Sequence, residues 1–262
     1  MKSSARRLRK HLTASISAAA VFSALSAAGP ANADGAFAKQ AFQRMSDYLG
    51  AQSALAFDYD SSLDVVTEGG HKFVIASSGA IALERPGALH ATRDGGFASV
   101  VLDYDGRTLT VVNTDANIFA TIETAGSVDD LIDTLRKSYG QPLPAADLLN
   151  ADVAAALTPL FTDVKDLGAG VIGGVMCDHF AFQTEQADLQ IWIAQGDTPH
   201  PCRYVITDTS VTGWPTYRID VRNWRAGDGA AGDLAFAVPA GATQVELSAV
   251  PAINELSGIY AQ

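Results

Sequence analysis

The sequence predicts an α+β fold: one antiparallel sheet of about ten or eleven strands, a leading helix, and a helical insert at the centre of the chain. Three observations predict it. Apolar and polar residues alternate with period two over long stretches, the signature of strands with one dry and one wet face. Glycine pairs and Asp-Gly or Pro-Gly steps break these stretches at hairpin spacing. Helical spacing of three and four residues occurs in two places only, ahead of the first strands and midway along.

The leading helix lies in "DGAFAKQAFQRMSDYLGAQ", where Phe37, Ala41, Met45, Tyr48 and Leu49 share a face and Gly50 ends the run. Strands follow. In "ALAFDYDSSLDVV", Leu55, Phe57, Tyr59, Leu63 and Val65 alternate with Asp58, Asp60, Ser62 and Asp64, and Gly69-Gly70 then turns the chain. "KFVIASSGAIALE" returns with Phe73, Ile75, Ile81 and Leu83, and Pro86-Gly87 turns again. A short strand, "ALHATRDGG", precedes three more in "FASVVLDYDGRTLTVVNTDANIFATIE", with turns at Asp105-Gly106 and Asp115 to Asn117. The insert opens on a capping box, Ser127 with Asp130 three residues on, and carries Val128, Leu131, Leu135 and Tyr139 as an apolar stripe up to Gly140. Short helices broken by prolines continue through "QPLPAADLLNADVAAALTPLF". Strands resume after Val164 in "VMCDHFAFQT", "DLQIWIAQ", "CRYVITDTSV", "PTYRIDVRNWRA" and "DLAFAVPAGATQVEL".

The N-terminus reads as an export signal. Lys2, Arg6, Arg7, Arg9 and Lys10 form a basic head, an Ala- and Ser-rich run from Leu12 to Gly29 follows, and Ala31-Asn32-Ala33 is a small-x-small cleavage site. Residues 1–33 are therefore expected to leave after a cut behind Ala33, and residues 34–262 to form a single domain in the periplasm. The Arg6-Arg7 pair keeps the twin-arginine route open beside the Sec route. Removing those five cations leaves 13 Lys and Arg against 29 Asp and Glu, a net charge near −16. Such a surface excludes nucleic acid and anionic head groups as partners. The mature chain has no segment expected to cross a membrane.

Cys177 and Cys202 are the only cysteines. In an exported chain an even pair reads as a disulfide, and closing this loop stabilises the fold by roughly 3.5 kcal/mol on the chain-entropy model. A Cys2His2 metal site with His179 and His200 is the alternative left open by sequence proximity. Motifs of nucleophilic, phosphate-binding, dinucleotide and zinc-protease chemistry are missing. Neighbours Cys177, Asp178 and His179 on one strand point to alternate faces and form no relay. Asp103 to Gly106 suggests calcium but lacks the further ligands of a full loop. Neither an enzyme nor a cofactor is expected.

The element order, with "GVIGGVMCDHFAF" (Gly170 to Phe182), "LQIWIA" (Leu189 to Ala194), "PCRYVI" (Pro201 to Ile206) and "FAVPAGA" (Phe236 to Ala242), resembles the periplasmic lipoprotein-carrier (LolA/LolB-like) superfamily. Within it, the chain is similar to a family of predicted periplasmic proteins, a domain of unknown function. The resemblance implies a strongly curved antiparallel sheet, an incomplete barrel whose open side is covered by helices around an apolar cavity. This chain departs from the carrier in its cysteine pair, its longer C-terminus and its more negative charge.

A sheet curved around helices must bury apolar side chains on its concave face. The candidates are Phe57, Tyr59, Leu63, Phe73, Ile75, Ile81, Leu83, Leu102 and Tyr104. The same side chains serve equally as an ordinary core packed on the helices, and the cavity itself comes from the resemblance. The expected function is a non-catalytic carrier or sensor holding a hydrophobic ligand, lipid or acylated protein. The alternative is an envelope module with a solid core whose acidic surface binds a protein partner. Trp192, Trp214 and Trp224 are further candidates for stacking on a ligand, but Trp192, flanked by Ile191 and Ile193 in a strand, reads first as core.

Overall fold

Period-two patterning becomes one twelve-stranded sheet in the computed structural model, which describes residues 35–96, 98–139 and 146–251. The predicted signal segment, its cut behind Ala33, Gly140 and residues 252–262 lie outside the described residues. The first half supplies β1 (Ala54–Val66), β2 (Lys72–Glu84), β3 (Ala88–Gly95), β4 (Ser99–Tyr104), β5 (Thr108–Asn113) and β6 (Ile118–Glu123). The second supplies β7 (Asp163–Ile172), β8 (Val175–Gln183), β9 (Ala187–Ala194), β10 (Pro201–Asp208), β11 (Thr216–Ala226) and the two-residue β12 (Thr243–Gln244). The spatial order is β12-β6-β5-β4-β3-β2-β1-β11-β10-β9-β8-β7. Every pairing is antiparallel except β12 beside β6. The sheet curves strongly without closing, and β7 and β12 are its two free ends.

Helix α1 (Gly35–Gly50) buries Ala38, Ala41, Phe42, Met45 and Leu49 against the concave face over β7 and β9. Phe42 meets Phe182 and Phe161 at ring-centroid distances of 5.0 and 5.6 Å. The insert begins with α2 (Val128–Thr134), where Ser127 and Asp130 form the expected reciprocal capping box. A π-turn over Leu135–Tyr139 follows, then α3 (Ala146–Leu149) and α4 (Val153–Leu157). Val128, Leu131, Ile132 and Leu135 join the same apolar cluster as α1 and the concave residues. Tyr139, expected on that stripe, is 43 % exposed because the π-turn rotates it off the buried face.

Polar pins fix the insert. Ser46 of α1 accepts from the backbone N–H of Ala154 at 2.9 Å and lies 3.3 Å from the Asp152 carboxylate, which caps α4. The Arg85 guanidinium lies 3.2 Å from the Leu149 carbonyl, a cation on a helix C-terminus. Burial lowers its pKa, and Asp129 opposes the shift. The Asp129 carboxylate accepts from Ala151 N–H at 3.1 Å.

The strand read in "DLAFAVPAGATQVEL" is corrected: residues 231–242 form no ladder, and only Thr243 and Gln244 pair. Pro239 has no N–H to donate, and Gly232 and Gly241 hold φ of +72° and +82°, outside strand geometry. The segment instead straps the convex face, with Phe236 on the His90 ring at 5.7 Å, and rounds the β6 edge so that Val245, Leu247 and Val250 join the concave cluster.

Candidate ligand-binding site

The strand registers align the concave side chains into rows. One row runs without a break through Val164, Phe182, Leu189, Ile206, Tyr217, Leu63 and Ile75, each the cross-strand partner of the next. It crosses β7, β8, β9, β10, β11, β1 and β2, six gaps of about 4.8 Å and hence about 29 Å along the curve. All of its members except Phe182 are half-buried. The row directly beneath, Phe180, Ile191, Tyr204, Ile219 and Ser61, is sealed, with none above 5 % exposure. Its last members are polar: the Ser61 and Ser77 hydroxyls lie 2.7 Å apart. The concave face therefore grades from a closed floor to a half-open apolar band.

The nine expected side chains divide across this gradient. Phe57, Tyr59, Ile81, Leu83, Leu102 and Tyr104 lie in the floor, all buried. Leu63 and Ile75 lie in the half-open band, and Phe73 projects at its rim, 53 % exposed. Tyr59 lies flat across β2, its hydroxyl donating to the Thr92 carbonyl of β3 at 3.0 Å. Gly79 makes this possible, since a Cβ there would sit 2.7 Å from that hydroxyl. Tyr104 points its hydroxyl at the Thr124 and Gly126 carbonyls at 2.7 and 3.0 Å, and burial raises its pKa. Val164, Leu189, Ile206 and Tyr217 were not among the candidates. The signal for Leu189 and Ile206 was present in the alternation of "DLQIWIA" and "RYVITD", but which face it filled depended on pairing across five strands.

The rim carries Val74, Val211 and Trp214 besides Phe73, all exposed. The Lys72 ammonium donates to the Trp214 carbonyl at 3.1 Å and pairs with Asp64 at 3.0 Å, tying the β1–β2 and β10–β11 hairpins together. Trp224 stacks between Phe57 and His200 at 5.4 and 5.0 Å, and burial lowers the His200 pKa. Trp192 lies on the convex face, stacked on His179 at 3.8 Å with the Arg203 guanidinium 5.5 Å from its ring. Of the three tryptophans, Trp214 alone is open to a ligand.

Cys177 and Cys202 form the expected disulfide, which leaves no thiolate for a metal. They reach each other because a bulge at Pro201/Arg203 turns Cys202 onto the convex face with Cys177, joining β8 to β10 around the end of β9. At "DYDG", the Asp105 carboxylate accepts from the N–H groups of Thr108 and Arg107 at 2.8 and 2.9 Å, which holds its pKa down. Asp103 pairs with His90 at 3.0 Å. These contacts make a hairpin turn of the segment. Among the described residues no cluster of three metal-ligating side chains occurs, and no helix is long and apolar enough to cross a membrane.

The site is thus a curved, unclosed antiparallel sheet with helices on its concave side and a half-open apolar band. The chain belongs to the family described as predicted periplasmic protein (DUF2092), whose model matches residues 38–248. No curated protein matches it. Among solved structures it is similar to lipoprotein LppX of Mycobacterium tuberculosis, with 15 % identity, 71 % of this chain and 93 % of that chain covered, and a TM-score of 0.44. It is similar to LprF of Mycobacterium bovis at 11 % identity, covering 79 % of this chain and 98 % of that one, with a TM-score of 0.46. A LolA superfamily protein of Nitrosomonas europaea aligns at 10 % identity over 73 % of this chain and 94 % of the other, with a TM-score of 0.32.

Proposed function

We propose that this is a periplasmic, non-catalytic protein that holds a hydrophobic ligand, lipid or acyl chains, over the half-open band of its concave face, as a carrier or sensor. Export follows from the cleavable signal ending at Ala33. The single observation carrying the reading is the cross-strand row from Val164 to Ile75, in which Val164, Leu189, Ile206 and Tyr217 pack on the core yet stay half-open, and Leu63 and Ile75 extend it, also half-open. Leu63 and Ile75 contact the ligand with Tyr217, Ile206 and Leu189, Phe73 closes over it from the rim, and the six sealed candidates form the floor. Each buried acyl methylene contributes roughly 0.8 kcal/mol. About a dozen give about 10 kcal/mol before the costs of ordering. Lipid extraction of the purified protein with mass spectrometry, backed by displacement of a fluorescent fatty acid, tests the reading. A retained lipid and saturable displacement are expected.

A second reading, an envelope module that binds a protein partner through its acidic surface, is favoured by the burial of Phe57, Tyr59, Ile81, Leu83, Leu102 and Tyr104 in packed core. No ligand by either assay would transfer the function to it.

A further inference from the structure

The β7–β8 hairpin ends in a tip unlike the rest of this acidic chain. No charged residue occurs from Leu167 to Cys177, in a sequence of formal net charge −11. Val171, Val175 and Met176 are 59, 41 and 50 % exposed, and Leu167 is 48 % exposed. The tip projects: a Cβ built at Gly168, Gly173 or Gly174 meets nothing within 4 Å. Gly173 and Gly174, at φ of +58° and +88°, make the turn. Its base is anchored, because Ile172 packs on the Cys177–Cys202 disulfide and the Gln195 N–H donates to the Met176 carbonyl at 3.0 Å.

The apolar side chains occupy both faces of the hairpin. Val171 pairs with Met176 on the concave side, the side of Phe180 and Phe182. Ile172 pairs with Val175 on the convex side. A protein partner or a second copy lying on one face would leave the other in water, and a strand added to β7 would cover neither Val175 nor Met176. A medium that surrounds the tip covers all three. We propose that the tip is a shallow docking finger for a neutral, zwitterionic lipid surface. Asp178, the first charge on β8, lies four residues past Gly174, about 13 Å along a strand. Along β8 the tip clears the roughly 5–10 Å of an interfacial insertion before Asp178 meets the head groups, while the exposed Asp197, two residues past the Gln195 that bonds Met176, stands beside it in the β9–β10 turn and keeps the insertion shallow. The acidic surface behind it repels anionic head groups, which fixes the lipid class.

Flotation of the mature chain with phosphatidylcholine vesicles tests this. The wild type is expected to float with the vesicles, and V171D/V175D to partition roughly tenfold less or weaker. Vesicles rich in phosphatidylglycerol are expected to float less protein than phosphatidylcholine. Wild-type protein left in the soluble fraction, a double variant that floats equally, or tighter binding to the anionic vesicles would overturn the proposal. So would a wild-type dimer in sedimentation velocity that V171D/V175D abolishes, since the tip would then belong to a second copy. Both substituted side chains are exposed and far from the half-open band. Unchanged fatty-acid displacement in V171D/V175D therefore keeps a failure here separate from a failure of the proposed ligand site.

Discussion

Leu63 faces Tyr217 across β1 and β11 and Ile75 across β1 and β2, so one side chain joins the two halves of the sheet in a single apolar row. The first and second sets of strands meet at this β1–β11 seam and, at the far edge, through the two-residue β12 beside β6. A ligand spread over the row would bridge them.

Ile75→Asp and Phe57→Asp separate binding from folding. Ile75 is half-buried, so its carboxylate reaches water and the fold survives while fatty-acid uptake falls at least tenfold. Phe57 is 3 % exposed and stacked on Trp224, so a carboxylate there is desolvated without a partner and the protein unfolds. Even Phe57→Ala should cost about 3–5 kcal/mol. Circular dichroism beside probe displacement reads both; a folded, non-binding Phe57→Asp would move the ligand surface down into the floor.

Ser46→Ala removes the hydroxyl that accepts from Ala154 N–H and leaves that buried donor orphaned. A loss of about 1–3 kcal/mol is expected in urea unfolding. Protease cleavage near α4 should rise with it, because the pin between α1 and the insert is gone. Unchanged stability would mean that the apolar contacts alone dock the insert.

Reducing the disulfide should add the mass of two hydrogens and lower stability by about 3.5 kcal/mol, from a sequence separation of 25 residues. The bond lies on the convex face, so probe displacement by the reduced protein should not change. A loss of ligand binding on reduction would show that the bond shapes the concave face.

Acidification from pH 7.5 to 5.5 should lower Tm. Burial depresses the pKa of both His179 and His200 below the ordinary 6.5. The unfolded chain then takes up protons first as the pH falls through about 6.5, so the stability present above that value is progressively lost below it. His200→Phe, which keeps an aromatic ring beside Trp224, should flatten the dependence. A Tm that rises on acidification would contradict the assignment.

Local signals were legible in the sequence. The Ser127 capping box, the turns at Gly69-Gly70 and Asp105-Gly106, the Ala41, Met45 and Leu49 stripe of α1 and the cysteine pair all appear where residue chemistry within a few positions decides the outcome, whereas Phe37, expected on that stripe, is exposed and Phe42 is buried in its stead. Three features were not legible because they depend on distant pairing. Leu234, Phe236 and Val238 alternate like a strand, yet residues 231–242 form no ladder, Phe236 lies on the His90 ring, and only a two-residue bridge beside β6 follows. The bulge that brings Cys202 to Cys177 is marked in "PHPCRY" only by Pro201, which does not tell which face Cys202 takes. The expected cavity side chains lie on β1, β2 and β4, and the sequence does not show that Leu63 and Ile75 continue across β11, β10 and β9 as one half-open row, because that row depends on the register of strands far apart in the chain.

The most direct test of the central claim is displacement of a fluorescent fatty acid from the mature protein, measured beside Tyr217→Asp. Saturable displacement by the wild type, lost in a folded Tyr217→Asp protein, is the predicted result. A wild type that takes up no probe, or a variant that binds it equally well, would contradict a ligand site on this row.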